Sequence, residues 1–154
     1  MIKKISAILT INFFLFIIVT PAFCQISDVG FFLMIENKAN CTHRVNALMG
    51  VTTYCLPDAP VIAKTDFEFV GDVKYNEKSN KEYINLRLSP VGFETLQTLA
   101  ARLPNTKLAL VIEDKVVGIF ETLGNIVDPT IPVIGAKDSP EMQWIYEKVK
   151  KTRQ

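Results

Sequence analysis

Three side chains near one another in sequence, Cys41, His43 and Cys55, have the types that could do chemistry as a group. Two thiolates and an imidazole are ligand types that structural zinc uses, but such a site is closed by a fourth ligand and a second tight pair, and the sequence offers neither. Apart from Cys24 these are the chain's only cysteines. An even pair in an exported chain is expected to form a disulfide, Cys41 to Cys55. The bond would close a loop of about 15 residues and contribute about 3 kcal/mol in the chain-entropy model. His43 is then expected as an exposed loop residue. It is the only histidine in the chain, so no Ser–His–acid triad can be argued.

The remaining candidates read as structure. Glu113 and Asp114 are adjacent carboxylates at an expected hairpin tip, where water solvates both. Gly71, Gly92, Gly118, Gly124 and Gly135 are scattered and form no phosphate-cradling loop. Asn40-Cys41-Thr42 spells a glycosylation sequon, but a disulfide at its middle residue argues against its use. Phe67, Phe69 and Tyr83 could stack on nucleobases, yet no excess of basic residues accompanies them, so they are expected to pack in the core or on a sheet face. Trp144 stands one residue before a core position and is expected to shield the core rather than anchor a partner. Catalytic residues, cofactors and metals are therefore not predicted.

The elements that must hold these residues follow from periodicity. Residues 31–36 and 51–56 are short runs rich in β-branched and aromatic side chains and read as strands, followed by a turn at Pro57, Asp58 and Pro60. Residues 66–75 and 82–88 alternate apolar and polar, and the wholly polar residues 76–81 between them complete a β-hairpin. Ser89-Pro90 starts a helix, with Leu96, Leu99, Ala100 and Leu103 as its buried stripe. Pro104 and Asn105 end it. A second hairpin joins residues 107–112 to 116–123 through a turn at Glu113-Asp114-Lys115. Residues 131–135 give a short strand, and Ser139-Pro140 opens a second helix with Met142, Ile145, Tyr146 and Val149 on its apolar side. Lys148, Lys150, Lys151 and Arg153 lie near its C-terminus, where the helix dipole favours cations. The sum is an α+β fold, a mainly antiparallel sheet with two helices packed on it.

Ahead of this stands a leader. Lys3 and Lys4 precede residues 5–20, an uncharged and largely apolar run with five Ile and three Phe. As a helix it rises about 24 Å, short of the roughly 30 Å hydrocarbon core, and Pro21 follows it. This is signal-peptide anatomy. Cleavage after Cys24 leaves small side chains, Ala22 and Cys24, where a signal peptidase needs them. An uncleaved anchor and a lipid-modified Cys24 are the alternatives, and all three carry the rest of the chain across a membrane. The expected organisation is a signal peptide over 1–24 and a single domain over 25–154, periplasmic or secreted, touching membrane only if the leader is retained.

The full chain has 154 residues, 17 basic and 16 acidic side chains, 49% hydrophobic residues and a net charge of +1. Without the leader it has 130 residues and a charge of −1, because Lys3 and Lys4 go with it. A chain of that size buries roughly two thirds of its unfolded surface, enough for a core without metal clusters. Its near-neutral charge gives nothing to release counterions from nucleic acid, so no nucleic-acid partner is expected.

From about Asp66 onward, roughly 85 residues, the order of pieces resembles the head subdomain of the first periplasmic domain of SecD and of fused SecDF, a membrane subunit that assists protein export. The strand leading into a helix with an early glycine matches Tyr83-Ile84-Asn85-Leu86-Arg87-Leu88-Ser89-Pro90-Val91-Gly92-Phe93. The Leu-Ala-aliphatic strand with an acidic hairpin matches Leu108-Ala109-Leu110-Val111-Ile112-Glu113-Asp114-Lys115-Val116-Val117, and the short strand with its capped helix matches Val133-Ile134-Gly135-Ala136-Lys137-Asp138-Ser139-Pro140-Glu141. Two features depart from the family. Lys115 and Gly118-Ile119-Phe120 stand where members usually carry a turn glycine and a proline, and no apolar run of about 18 residues follows Thr20 to supply the membrane half.

The resemblance implies a detached head that contacts unfolded or extended polypeptide near protein export, a binding module and not an enzyme. Strand addition to an open sheet edge would give such binding without a sequence motif. The alternatives are a small secreted interaction protein or enzyme inhibitor with one dedicated partner, and an enzyme whose pocket the sequence does not reveal. Oligomeric state is not legible.

Overall fold

The structure, a computed structural model, describes residues 29–36, 41, 43–122 and 124–151. The expected leader over 1–24, its cleavage after Cys24, Asn40 and Thr42 of the sequon, and Arg153 lie outside the described residues. Among the described residues ten strands and two α-helices follow in chain order. They are β1 (Val29–Leu33), β2 (His43–Ala47), β3 (Thr53–Leu56), β4 (Ile62–Ala63), β5 (Phe67–Val70), β6 (Lys74–Asn76), β7 (Lys81–Leu88), α1 (Pro90–Arg102), β8 (Lys107–Ile112), β9 (Lys115–Glu121), β10 (Thr130–Ala136) and α2 (Pro140–Lys151).

The strands form two sheets. One has the order β3-β2-β9-β8-β1-β4; the other runs β10-β7-β5, with β6 also paired to β7. Every pairing is antiparallel except β2 with β9. The fold is α+β with mainly antiparallel sheets and two helices, as the sequence led us to expect.

The apolar patterning explains which faces meet. Ile84, Leu86 and Leu88 recur with period 2 along β7, as do Leu108, Leu110 and Ile112 along β8, and both rows are buried in one core with Val29, Phe31 and Val133. Leu96 of α1 and Met142, Ile145 and Val149 of α2 complete it. Phe31 makes edge-on ring contacts with Phe67 and Phe120 at 5.7 and 5.3 Å between centroids. β8 is buried on its other face too, where Ala109 and Val111 join Phe32, Val45, Leu56 and Val116 in a second cluster. That is why Leu108 to Ile112 reads as a continuous apolar run rather than an alternation. The amide of Ile35, two residues beyond β1, donates to the Cys55 carbonyl at 3.0 Å. The six-stranded sheet thus curls back toward its own edge at β3 and encloses the second cluster.

Both helix starts use the expected chemistry. Ser89 Oγ accepts the Gly92 amide at 3.2 Å, and Ser139 Oγ accepts the Met142 amide at 3.3 Å, each cap worth about 1 kcal/mol. Gly92 is required by contact: a Cβ there would lie 2.8 Å from Cβ and 2.9 Å from the carbonyl oxygen of Asp66.

Several expectations are corrected. β1 covers Val29–Leu33 rather than 31–36, and β2 was not expected at all. The second run narrows to Thr53–Leu56, leaving Val51 fully exposed in the loop beside Gly50, whose φ is +88°. The run over 66–75 is broken into a 3-10 turn at Lys64–Asp66, β5 and β6, because residues 71–73 leave the ladder while the Gly71 amide still reaches Asn85 and the Tyr146 hydroxyl holds Asp72 at 2.7 Å. α1 ends at Arg102, so Leu103 leaves the buried stripe and is exposed; the Pro104-Asn105 turn that follows carries Asn105 at φ +62°. The β8–β9 turn is Glu113-Asp114 alone, both residues with positive φ, and Lys115 already belongs to β9. Two central residues of positive φ match the twist of the flanking strands.

Candidate strand-docking groove

The residues singled out in the sequence do not assemble into a reactive site. Cys41 and Cys55 are joined as a disulfide with their Cα atoms 5.5 Å apart, which uses both sulfurs and dissolves the metal trio. His43 sits in β2 opposite Leu56 rather than in a loop, partly buried, and its Nδ1 is buried without a hydrogen-bond partner. Glu113 and Asp114 form the exposed hairpin tip, with Glu113 paired to the Lys148 ammonium. Trp144 is partly buried, with that ammonium 5.9 Å from its ring centre. Phe67 and Phe69 part company: the register shifts between them, so Phe67 lies opposite buried Leu88 and Phe69 opposite exposed Arg87. The extra residue of a bulge reverses the faces.

What the fold builds instead is a groove of about 280 Å³ between the two sheets. Val117, Gly118 and Ile119 of β9 form one wall, and Ile134, Gly135 and Ala136 of β10 the other. Met142 and Ile145 of α2 lie at its floor, and Leu48 and Met49, from the loop after β2, close one side. A Cβ at Gly135 would lie 2.4 Å from the Met142 side chain, which would have to shift to make room for it. The rim carries exposed apolar side chains: Met49 is 65%, Ile134 58% and Ile119 44% exposed.

Among the described residues, both walls are open strand edges. β9 pairs with β8 along its length, but β2 covers its other edge only at Lys115 and Val116, ending where the Leu48 amide donates to the Val116 carbonyl. The Thr122 amide bonds the Thr106 carbonyl at 2.8 Å. Stepping by two through the register, Phe120 and Gly118 exchange bonds with β8, while the amides and carbonyls of Ile119 and Glu121 point away from it. β10 is likewise an edge. The Leu88 amide bonds the Pro129 carbonyl at 2.9 Å, so Ile131, Val133 and Gly135 face β7, and Thr130, Pro132, Ile134 and Ala136 face outward. On that outward edge Pro132 has no amide hydrogen, and the Thr130 amide is already held by Asp128 Oδ1 at 2.8 Å. The hydroxyl and amide of Thr130 keep the Asp128 carboxyl below its usual range. Free main-chain donors toward the groove are therefore Ile119 on one wall and Ile134 and Ala136 on the other.

Among the described residues the groove's lining carries one charge. The Ser139 hydroxyl donates to Glu141 Oε2 at 2.6 Å and holds that carboxyl below the usual carboxylate range, with the Glu141 amide adding to the effect. Among the described residues no cluster of His, Cys, Asp and Glu could hold a metal ion, and no helix is long and apolar enough to cross a membrane.

No family model matches the chain, and no curated protein does. Solved structures do. One is a structure of SecDF, a membrane component that enhances protein export, matched at a TM-score of 0.60 and 11% identity over 79% of this chain and 61% of that one. Another is a crystal structure of SecDF in its super-membrane-facing form, with the same score and identity, of which this chain spans 18%. The chain thus spans less than two thirds of either. The match takes in more of the chain than the 85 or so residues that carried the resemblance in sequence. At this level of identity the likeness is one of architecture, and the described residues of this chain share the fold of a part of SecDF.

Proposed function

We propose that this protein binds extended polypeptide outside the cytoplasm, in the setting of protein export, by taking the segment as an added strand along the open edge of β9. The observation that carries the reading is the convergence of two unpaired strand edges on one apolar groove. Main-chain donors and acceptors there bind any sequence, and the apolar rim adds area that does not depend on side-chain identity. An exposed edge of this kind is usually covered, charged or bulged away; here, beyond the register shift at Val117, it carries Ile119 and faces a hollow. The SecDF-like fold and the disulfide support an extracytoplasmic setting.

The test uses a labelled protein that has been reduced and carboxymethylated so that it cannot refold, and the same protein in its folded form. Anisotropy titration is expected to give micromolar binding to the unfolded chain and none to the folded one. Equal binding of both, or of neither, contradicts the proposal, and absence of both is what a dedicated single-partner protein would give.

A further inference from the structure

The groove's lining bears on which segments it takes. Among the described residues its walls are uncharged apart from Glu141, and its floor is Met142 and Ile145, 1% and 3% exposed. Alternate residues of an added strand turn toward that floor and away from it. A charged side chain turned inward would leave water without a counter-charge, a cost that removes such segments from competition. Met142 and Met49 are unbranched and adapt their shape, so the inward side chains can differ in outline while remaining aliphatic. Glu141 stands at the first turn of α2, partly exposed among the groove's lining residues, and its carboxylate accepts the Ser139 hydroxyl at 2.6 Å. The nearby Lys137 does not neutralise it: that ammonium lies 4.9 Å from the Tyr75 ring centre and 4.0 Å from Asp138.

We infer, resting on the strand-addition reading, that the preferred ligand is a short extended segment with uncharged aliphatic residues at alternate positions and a lysine, arginine or free amino terminus at the Glu141 end. Charge complementarity at one end and charge exclusion along the rest would also fix the direction in which the segment lies.

Three acetylated, labelled peptides decide this: alternating valine and threonine with an N-terminal lysine, the same with glutamate for lysine, and the first with aspartate for the central valine. The lysine peptide is expected to bind tightest, the glutamate peptide about threefold weaker and the aspartate peptide at least tenfold weaker, and Glu141→Gln in the protein should erase the lysine preference. Equal affinities for all three would overturn the selectivity while leaving strand addition standing. If none binds but the unfolded carboxymethylated chain does, the inferred ligand class is wrong. If that chain also fails to bind, it is the strand-addition reading itself that falls.

Discussion

Reducing the Cys41–Cys55 bond is expected to lower the melting temperature of this protein by on the order of 10 °C. The cysteines are 14 residues apart in sequence, and opening a loop of that length returns about 3 kcal/mol of conformational freedom to the unfolded chain. For a domain of this size each kcal/mol moves the midpoint by roughly 3–5 °C. The native state also has something to lose. Cys55 is buried in β3, its carbonyl accepts the Ile35 amide that draws the six-stranded sheet closed, and Leu56 beside it fills the second cluster. Thermal melts of the oxidised protein with and without reductant, and of a Cys41→Ser, Cys55→Ser variant, measure the effect. A midpoint within about 2 °C of the oxidised protein in both would show that the β2–β3 hairpin stays in place without its staple.

Ile119→Pro is expected to weaken binding of extended polypeptide at least tenfold while leaving the fold intact. Proline removes one amide hydrogen, and at position 119 that hydrogen points to the groove and not to β8, so no ladder bond is lost. The preceding Gly118 is an extended strand residue, which is where a residue before proline is driven in any case. Tenfold corresponds to about 1.4 kcal/mol, near the upper end of what one hydrogen bond contributes net, and the ring additionally obstructs close approach of the added strand. Phe69→Ala, half exposed on the outer face of the other sheet, should leave affinity unchanged. Wild-type affinity in Ile119→Pro, at unchanged melting temperature, would mean that β9 is not the receiving edge.

How much of this was legible in the sequence depended on whether the signal was local. The alternation of β7 and the Ser-Pro caps of both helices are written in neighbouring residues and formed as expected, and the second hairpin formed too, with its turn one residue shorter than the expected Glu113-Asp114-Lys115. β2 was missed because the five residues of His43–Ala47 bury only Val45 fully, and one of its two partner strands, β9, lies some 70 residues away. The break between β5 and β6 was missed because tertiary partners of Gly71 and Asp72 outweigh the alternation there. The disulfide was legible from cysteine arithmetic, whereas the partly buried place of His43 follows from a strand the pattern did not reveal.

The groove was invisible for a different reason. An open edge is a property of which strands end up beside one another, and β9 exposes residues 117–121 because β2 stops pairing at Val116. One signal was present. Pro132 inside an apolar run marks an edge strand, since proline cannot donate to a ladder, and β10 is such an edge. Even then, nothing local says that β9 faces the same hollow.

Strand addition makes a residue-level demand on the main chain, and amide hydrogen exchange reads it directly. In the free protein the Ile119 and Glu121 amides should exchange fast, alternating with slow Gly118 and Phe120 in the β8 ladder. Saturation with unfolded polypeptide should slow Ile119 and Glu121, together with Ile134 or Ala136 on the facing wall, and leave the outward face around Phe69 and Tyr83 as it was. Unchanged exchange at Ile119 and Glu121 in a complex shown to have formed would contradict the account, because the bound segment would then lie somewhere other than the β9 edge.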